Sequence, residues 1–452
     1  MQTTQPAPAG SVIGRYRWRI CAVLFLATTI NYIDRNVFSF TMLDTAFRHQ
    51  MLGIPESVPL TDADLAVFKE KMSHLDALFK YAYAFGFLLA GYMIDRLGIR
   101  RGYTISIAGW SVAAVGHGLV HGMVGMGAVR IGLGLGEAGN FPAAIKTVSE
   151  WFPKKERSFA TGLFNAGANV GIILTAVCVP WIISHWGWRA SFIITGAIGT
   201  FVLFWWLAVY RKPEEHPKLS AAELAYIRQD GGATSEKPMK WSQIGRYRAT
   251  WAFAIPKFMT DAIWWFYLTW LPTFFNENAA FDTKLDLKQV GLPFLIIYLV
   301  SDGGSIFFGW LATRFIGLGW SVNKARKVTM LICALCVVPI VFASMTSSIV
   351  VAIALISLAT AAHQGWSANL FTTVSDQFPR RAVGSVVGIG GLMGGLGGAL
   401  LAGNVGAIIN TGGYVPLFTI AASAYLLALV ILHTLSPKLE TITIADDPVA
   451  KA

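Results

Sequence analysis

The sequence predicts an all-α integral membrane protein with twelve transmembrane helices arranged as two six-helix halves. Three observations carry that prediction. First, apolar residues make up 54% of the 452-residue chain and charged residues only 13%, with a mean hydropathy of +0.54; so few charges cannot cover a water-facing surface. Second, about twelve apolar stretches reach the roughly 20 residues needed to cross a hydrocarbon core. Third, a segment of the first half returns in the second. Since lipid cannot hydrogen-bond the backbone, the apolar stretches must be helices rather than open sheets.

The first stretch begins near Trp18. It exceeds the apolar region of a secretion signal, carries Asp34 and Arg35 in its middle and lacks a small-residue cleavage pattern, so it reads as a retained helix. The next five begin near Leu75, Tyr103, Met126, Phe159 and Trp188. Residues 211–248 are polar and contain Pro213, Pro217, Gly231 and Gly232, the composition of a linker. Six more stretches follow, beginning near Thr250, Val290, Val328, Ile349, Val383 and Tyr414. The domains are therefore 1–210, an amino-terminal half; 211–248, a cytoplasmic linker; and 249–452, a carboxy-terminal half.

Within this frame the glycines of the eleventh stretch, Gly384 to Gly398, let that helix approach its neighbours closely. Gly132-Leu133-Gly134-Leu135-Gly136 has the spacing of a nucleotide loop, but it lies inside a membrane helix with no strand before it, so no nucleotide site is expected. Cys21, Cys178, Cys333 and Cys336 all fall in apolar runs, which indicates neither a disulfide framework nor a zinc site. The Cys333 and Cys336 pair reads as lipid-facing packing.

The net charge of +11 first raises nucleic acid or anionic lipid as a partner. Its distribution excludes nucleic acid. Roughly 25 lysines and arginines fall on one alternating set of loops and about 6 on the other, and basic loops stay in the cytoplasm. Arg15, Arg17 and Arg19, then Arg96, Arg100 and Arg101, Lys154, Lys155 and Arg157, and later Arg380 and Arg381 belong to the rich set. Both termini are expected in the cytoplasm, with the lipid bilayer as the surrounding partner.

The internal echo sets the architecture. Thr147-Val148-Ser149-Glu150-Trp151-Phe152-Pro153-Lys154-Lys155 returns as Thr373-Val374-Ser375-Asp376-Gln377-Phe378-Pro379-Arg380-Arg381, half a chain later. Two parallel six-helix repeats of this kind place a solute site near the midplane between them.

Gly91-Tyr92-Met93-Ile94-Asp95-Arg96-Leu97-Gly98-Ile99-Arg100-Arg101 resembles the cytoplasmic loop signature of the major facilitator superfamily. The resemblance implies the major facilitator fold and makes Gly91, Asp95, Arg96, Gly98, Arg100 and Arg101 a gating loop. The second-half copy, 309–314, has Thr313 where the aspartate would stand. Asn31-Tyr32-Ile33-Asp34-Arg35, Arg130 with Gly136-Glu137-Ala138-Gly139-Asn140-Phe141-Pro142, and Glu150-Trp151-Phe152-Pro153 before Glu156-Arg157 look like the anion:cation symporter family. Members of that family move organic anions, often sugar acids, with protons. Phe164-Asn165-Ala166-Gly167-Ala168-Asn169, Trp264-Trp265-Phe266-Tyr267 and His363-Gln364-Gly365-Trp366-Ser367-Ala368-Asn369 are most similar to its hexuronate transporters.

Charged groups at membrane depth are costly and mark function. Those read here are Asp34, Arg35, Lys80, Arg130, Glu137, Lys257, Asp261 and Asp302. A guanidinium stays protonated when buried and offers a planar fork to a carboxylate, which makes Arg35 the expected clamp for an acid group. Burial disfavours the charged form of a carboxylate, so a buried acid can take up and release a proton in the neutral range. Asp34 and Glu137 fit that role, and the resemblance implies the same two positions. Arg130 lies two turns from Glu137 on one helical stripe and is expected to modulate it. Lys80 shares a face with Tyr83 and would add a second positive charge or hold Asp34 or Glu137.

Sugar hydroxyls call for donors and acceptors, and the C–H face of a ring suits aromatic packing. Asn31, Tyr32, Tyr83 and Asn169 are the candidates in the first half; Trp264, Tyr267, His363, Gln364, Trp366 and Asn369 are those in the second. Ala168 and Gly391 stand where related carriers of polyol acids have polar groups, which favours a different sugar acid. The expected function is proton-coupled import of a sugar acid, most of all a hexuronate such as glucuronate or galacturonate, by a monomer in a bacterial inner membrane. Protons and a small organic anion are the partners, and no cofactor or metal is called for.

Competing readings are an aldonate or aromatic-acid symporter, an organic-anion exchanger and, from another class, a membrane enzyme or sensor. No metal-ligand cluster or nucleophile–base spacing supports an enzyme.

Overall fold

The computed structural model describes residues 14–229, 241–287, 289–440 and 442. Gly231, Gly232 and the side chains of Asp95, Lys154, Lys155, Arg157, Arg380 and Arg381 lie outside the described residues. The described residues form helices and connecting turns, without strands.

The helices are α1 (Tyr16–Thr41), α2 (Thr45–Leu52), α3 (Asp62–Leu119), α4 (Gly122–Glu137), α5 (Asn140–Trp151), α6 (Lys154–Val209), α7 (Ala221–Arg228), α8 (Trp241–Ile244), α9 (Arg248–Glu277), α10 (Gly291–Gly317), α11 (Val322–Val337), α12 (Ile349–Gln377), α13 (Arg380–Gly412) and α14 (Val415–Leu435). Both α3 and α6 are two rods each. Gly98 (φ 79°) breaks the first and Gly187 (φ 80°) the second, in a left-handed conformation that glycine adopts without a Cβ penalty. With α4 and α5 forming one bent rod, twelve long rods result among the described residues. Seven helical segments are apolar enough by length and composition alone to cross a membrane. The rod α1 falls short of that measure because it carries Arg17, Arg19, Asp34 and Arg35.

Local chemistry fixes where several rods start. Thr61 caps α3 through a reciprocal capping box with Asp64, starting it at Asp62 and not near Leu75 as the apolar run alone suggests. Asp44 caps α2, and Gly53 closes it in the left-handed conformation. No side chain of Arg15 caps α1. Glu223 of α7 does so from a distance, accepting from the Tyr16 and Arg17 amides at 3.1 Å each and from the Arg17 guanidinium at 3.1 Å.

The repeated segment produces the same turn twice. Phe152 and Pro153 have φ/ψ of −126°/137° and −64°/155°, and Phe378 and Pro379 have −110°/142° and −62°/151°. Each proline fixes φ just before a new helix, where its missing N–H is not needed. Cys333 is fully buried and Cys336 half-buried, so Cys333 packs in the core and does not face lipid.

The ends of the rods define two faces. One, the linker face, holds the two Phe-Pro turns, Gly98 and the linker. At the opposite, distal face the halves are fastened together. Arg48 Nη2 donates to Glu277 Oε1 at 2.8 Å, and Lys69 Nζ stands 3.0 Å from Glu277 Oε2 as an ion pair without hydrogen-bond alignment. The Gly406 amide donates to Ser73 Oγ at 2.6 Å and Asn410 Nδ2 to the Ala66 carbonyl at 2.9 Å. A Cβ on Gly406 would sit 2.5 Å from the Lys69 carbonyl oxygen, so α13 meets α3 at backbone contact there.

Candidate functional site

A cavity of about 550 Å³ lies between the halves. Its amino-half wall includes Tyr32, Arg35, Tyr83, Phe141, Asn165 and Asn169. Lys257, Asp261, Trp264, Trp265, Asp302, His363 and Gln364 contribute the opposite wall. Val387 and Thr161 line it too, each seven residues from the linker-face end of its helix. At 1.5 Å per residue, the cavity reaches to about 10 Å from that face.

Arg35 is the charged centre of this cavity. Its Nε donates to Glu137 Oε2 at 2.8 Å, and Nη2 reaches toward Asn31 Oδ1 at 3.5 Å. The guanidinium lies 4.7 Å from the ring centres of Tyr32 and Tyr83, 5.0 Å from Trp265 and 5.7 Å from Phe79. Such contacts favour a cation out of water. Trp265 belongs to α9, so the carboxy half closes over a cation rooted in the amino half.

Behind Arg35 sits a second buried cluster. Lys80 Nζ donates to Asp76 Oδ2 at 2.7 Å, Arg130 Nη2 lies 3.5 Å from Asp76 Oδ1, and Arg130 is held between the rings of Phe38 (4.2 Å) and Phe79 (4.5 Å). Two weak hydrogen bonds cross to the other half: Lys80 to the Trp265 carbonyl and Thr269 to Asp76, each 3.4 Å. Asp34 is buried beside Thr195 of α6, with no aligned hydrogen bond among the described residues. It points away from Arg35, as the 100° step between adjacent helical residues requires.

Arg35, Lys80 and Arg130 thus face Asp76 and Glu137, while Asp34 lies buried with no cation within ion-pair distance among the described residues. If all six side chains are charged their charges sum to zero, and protonation of any one acid leaves a net positive charge. Replacing an ion pair in this setting by a lone charge is costly.

Several expectations change on this geometry. Lys80 holds Asp76 rather than Asp34 or Glu137, and Arg130, whose charge also acts on Glu137, is closest to Asp76. Neither Lys80 nor Asn31 lines the cavity: Lys80 is 1% exposed and Asn31 fully buried behind Arg35. Tyr267 and Trp366 are fully buried, Trp366 edge-on to Tyr425 at 5.5 Å. Asn369 spends its amide on the Gly365 carbonyl at 2.9 Å. These three pack within the carboxy half and are not part of the cavity wall. Trp264, Gln364 and His363 do face it, with His363 Nδ1 2.6 Å from the Tyr425 hydroxyl and its ring stacked 4.7 Å from Trp264.

Asp76 is absent from the sequence-based set. Its signal was the four-residue spacing to Lys80, the spacing that pairs opposite charges on a helix. The Lys257–Asp261 pair, 2.6 Å apart, has the same spacing. Asp302 reaches across the cavity to accept from Asn169.

In the expected gating loop, Gly98 supplies the helix break and Arg100 donates to the Leu207 carbonyl at 3.0 Å, tying α3 to the end of α6. Arg96 lies over the Tyr92 ring at 4.8 Å, and Arg101 is exposed. A side chain at Gly91 would meet nothing within 4 Å.

Comparison with known proteins places this geometry. The profile of the Major Facilitator Superfamily matches residues 24–402. A hexuronate transporter of Escherichia coli (strain K12) is 29% identical over 436 residues, covering 95% of this chain and 96% of the relative. A probable galactarate/D-glucarate transporter of Bacillus subtilis (strain 168) is 28% identical, over 90% of this chain and 88% of the relative. Among solved structures, a D-xylose–proton symporter shares the fold with a TM-score of 0.71 at 15% identity, over 95% of this chain and all of that one. The chain belongs to the major facilitator superfamily: it is a multi-pass membrane transporter and not an enzyme.

Proposed function

We propose that this major facilitator protein imports a sugar acid together with protons, and that the solute is a hexuronate. The observation that carries the reading is the buried Arg35–Glu137 pair opening onto a central cavity. While Glu137 is ionised it occupies Arg35. A proton on Glu137 weakens that hold, and the freed guanidinium presents its fork to a carboxylate. Proton and anion then favour each other's binding, and linkage requires the effect to be reciprocal. Asp34 is the second acid of this scheme, and Arg130, held with Lys80 at Asp76, sets the field around Glu137.

Tyr32, Tyr83, Trp264 and Trp265 offer rings for the sugar's C–H face, while Asn165, Asn169 and Gln364 offer amides for its hydroxyls. The hexuronate assignment draws on the Escherichia coli relative. In this reading the linker face is cytoplasmic, both termini lie there, and the membrane is the bacterial inner one. The halves, 1–210 and 249–452, rock as a monomer about the site, with the proton as the only auxiliary ion.

The test is uptake of labelled glucuronate, galacturonate, galactonate and glucarate into proteoliposomes, with and without an imposed proton gradient. Gradient-dependent accumulation of a hexuronate is expected. Asp34→Asn and Glu137→Gln should retain exchange across the membrane and lose accumulation. Accumulation by both variants that still follows the gradient rejects the proton assignment, and no uptake of any sugar acid rejects the solute class.

A further inference from the structure

The two walls of the cavity differ in charge, and the difference bears on which sugar acids fit. On the amino wall Arg35 can be released by protonation of Glu137. On the carboxy wall the charged groups are Lys257, Asp261 and Asp302. Lys257 is committed: its Nζ lies 2.6 Å from Asp261 Oδ2 in a pair with side-chain exposures of 8% and 18%, and it also rests over the Phe371 ring at 4.5 Å. Asp302 has no such partner. It accepts a hydrogen bond from the neutral amide of Asn169, and among the described residues no cation stands within ion-pair distance of it.

We infer that Asp302 makes the cavity selective for sugar acids with a single carboxylate and hostile to those with two. The inference rests on the function proposed above. A solute whose carboxylate is clamped at Arg35 extends its other end toward the opposite wall. An ionised carboxylate such as Asp302 is an acceptor only, so it takes hydrogen bonds from hydroxyls or a hemiacetal O–H. A second carboxylate in that place meets an uncompensated like charge with no free cation to offset it. Like-charge juxtaposition of this kind is how binding sites reject close analogues. Asn169 fixes the acidic group from across the cavity, so the rejecting charge is held in position and not swept aside by the solute.

The experiment uses purified full-length protein in proteoliposomes and measures displacement of labelled galacturonate. Unlabelled galacturonate is compared with galactarate, the open-chain acid that has the same configuration at C2 to C5 and a carboxylate at both ends. The wild-type protein is expected to bind galactarate at least about tenfold more weakly than galacturonate, and Asp302→Asn should narrow that gap by about tenfold. Asp302→Ser serves as the second variant. Equal competition by the two acids in the wild type overturns the inference and leaves the sugar-acid reading standing. An unchanged gap in variants that bind galacturonate overturns it as well. So does loss of galacturonate binding in both variants, because Asp302 would then be needed for the mono-acid itself. Failure of the wild type to bind either acid removes the proposed function and this inference together.

Discussion

Replacing Glu277 by glutamine should release the distal face. Glu277 joins Arg48 and Lys69 of the amino half to α9 of the carboxy half, at 2.8 and 3.0 Å. The three side chains are 13–19% exposed, which puts each pair between a solvent-exposed ion pair, about 0.2–1 kcal/mol, and a buried one, about 3–5 kcal/mol when broken. Glutamine keeps one acceptor for Arg48 and removes the charge, so a net loss of about 1.5 kcal/mol is reasonable. That is roughly a tenfold shift in the ratio of distal-closed to distal-open molecules. Spin labels on Val58→Cys and Met345→Cys, exposed positions on the distal loops of the two halves, would report it by double electron–electron resonance. The variant should gain a longer-distance population that the parent shows about tenfold less. An identical distance distribution in parent and variant, with a control Glu440→Gln also unchanged, refutes the claim that these ion pairs hold the distal side shut.

Two further outcomes follow from other parts of the molecule. Arg35→Lys keeps the positive charge and loses the fork, so affinity for a galacturonate carboxylate should fall at least about tenfold; quenching of Trp264 and Trp265, which line the cavity, measures it, and unchanged affinity excludes the clamp. Glu223→Ala removes the acceptor for two α1 amides and one partner of buried Arg17 while leaving the 2.8 Å bond from Arg17 to Glu156, so a loss of about 2 kcal/mol is expected. A thiol-dye melting curve in detergent should move down by a few degrees, and no movement means the distant cap contributes nothing.

The sequence is most readable where a single physical demand dominates. Long apolar stretches must be helices, and the repeated Phe-Pro segment yields matching turns because proline dictates φ in both copies. Starts set by polar caps are harder to read, as the apolar run beginning near Leu75 hides a helix that Thr61 and Asp64 begin much earlier. Within the site, Arg35 and Glu137 were recognisable as buried charges on separate helices, but nothing in a single sequence tells which acid meets which base. Lys80 therefore drew the wrong partners, and Asp76 escaped notice although one turn away.

Aromatic residues were the least legible. Trp264 and Tyr267 lie one turn apart on α9, yet only the tryptophan reaches the cavity. On α9 the charged Lys257 and Asp261 mark the cavity face, and Trp264 continues that stripe while Tyr267 lies off it, a distinction that residue type alone does not make. Trp366 and Asn369 on α12 failed for the same reason.

Trp265 and Arg35 come from opposite halves, and this has a kinetic consequence. The indole is a shutter mounted on one door leaf, and the guanidinium is fixed to the other. Any swing that parts the leaves at that depth lifts the shutter, while the opposite swing lowers it. Under the proposed function, one cation would thereby greet a solute from one aqueous compartment and surrender it to the other, without itself travelling.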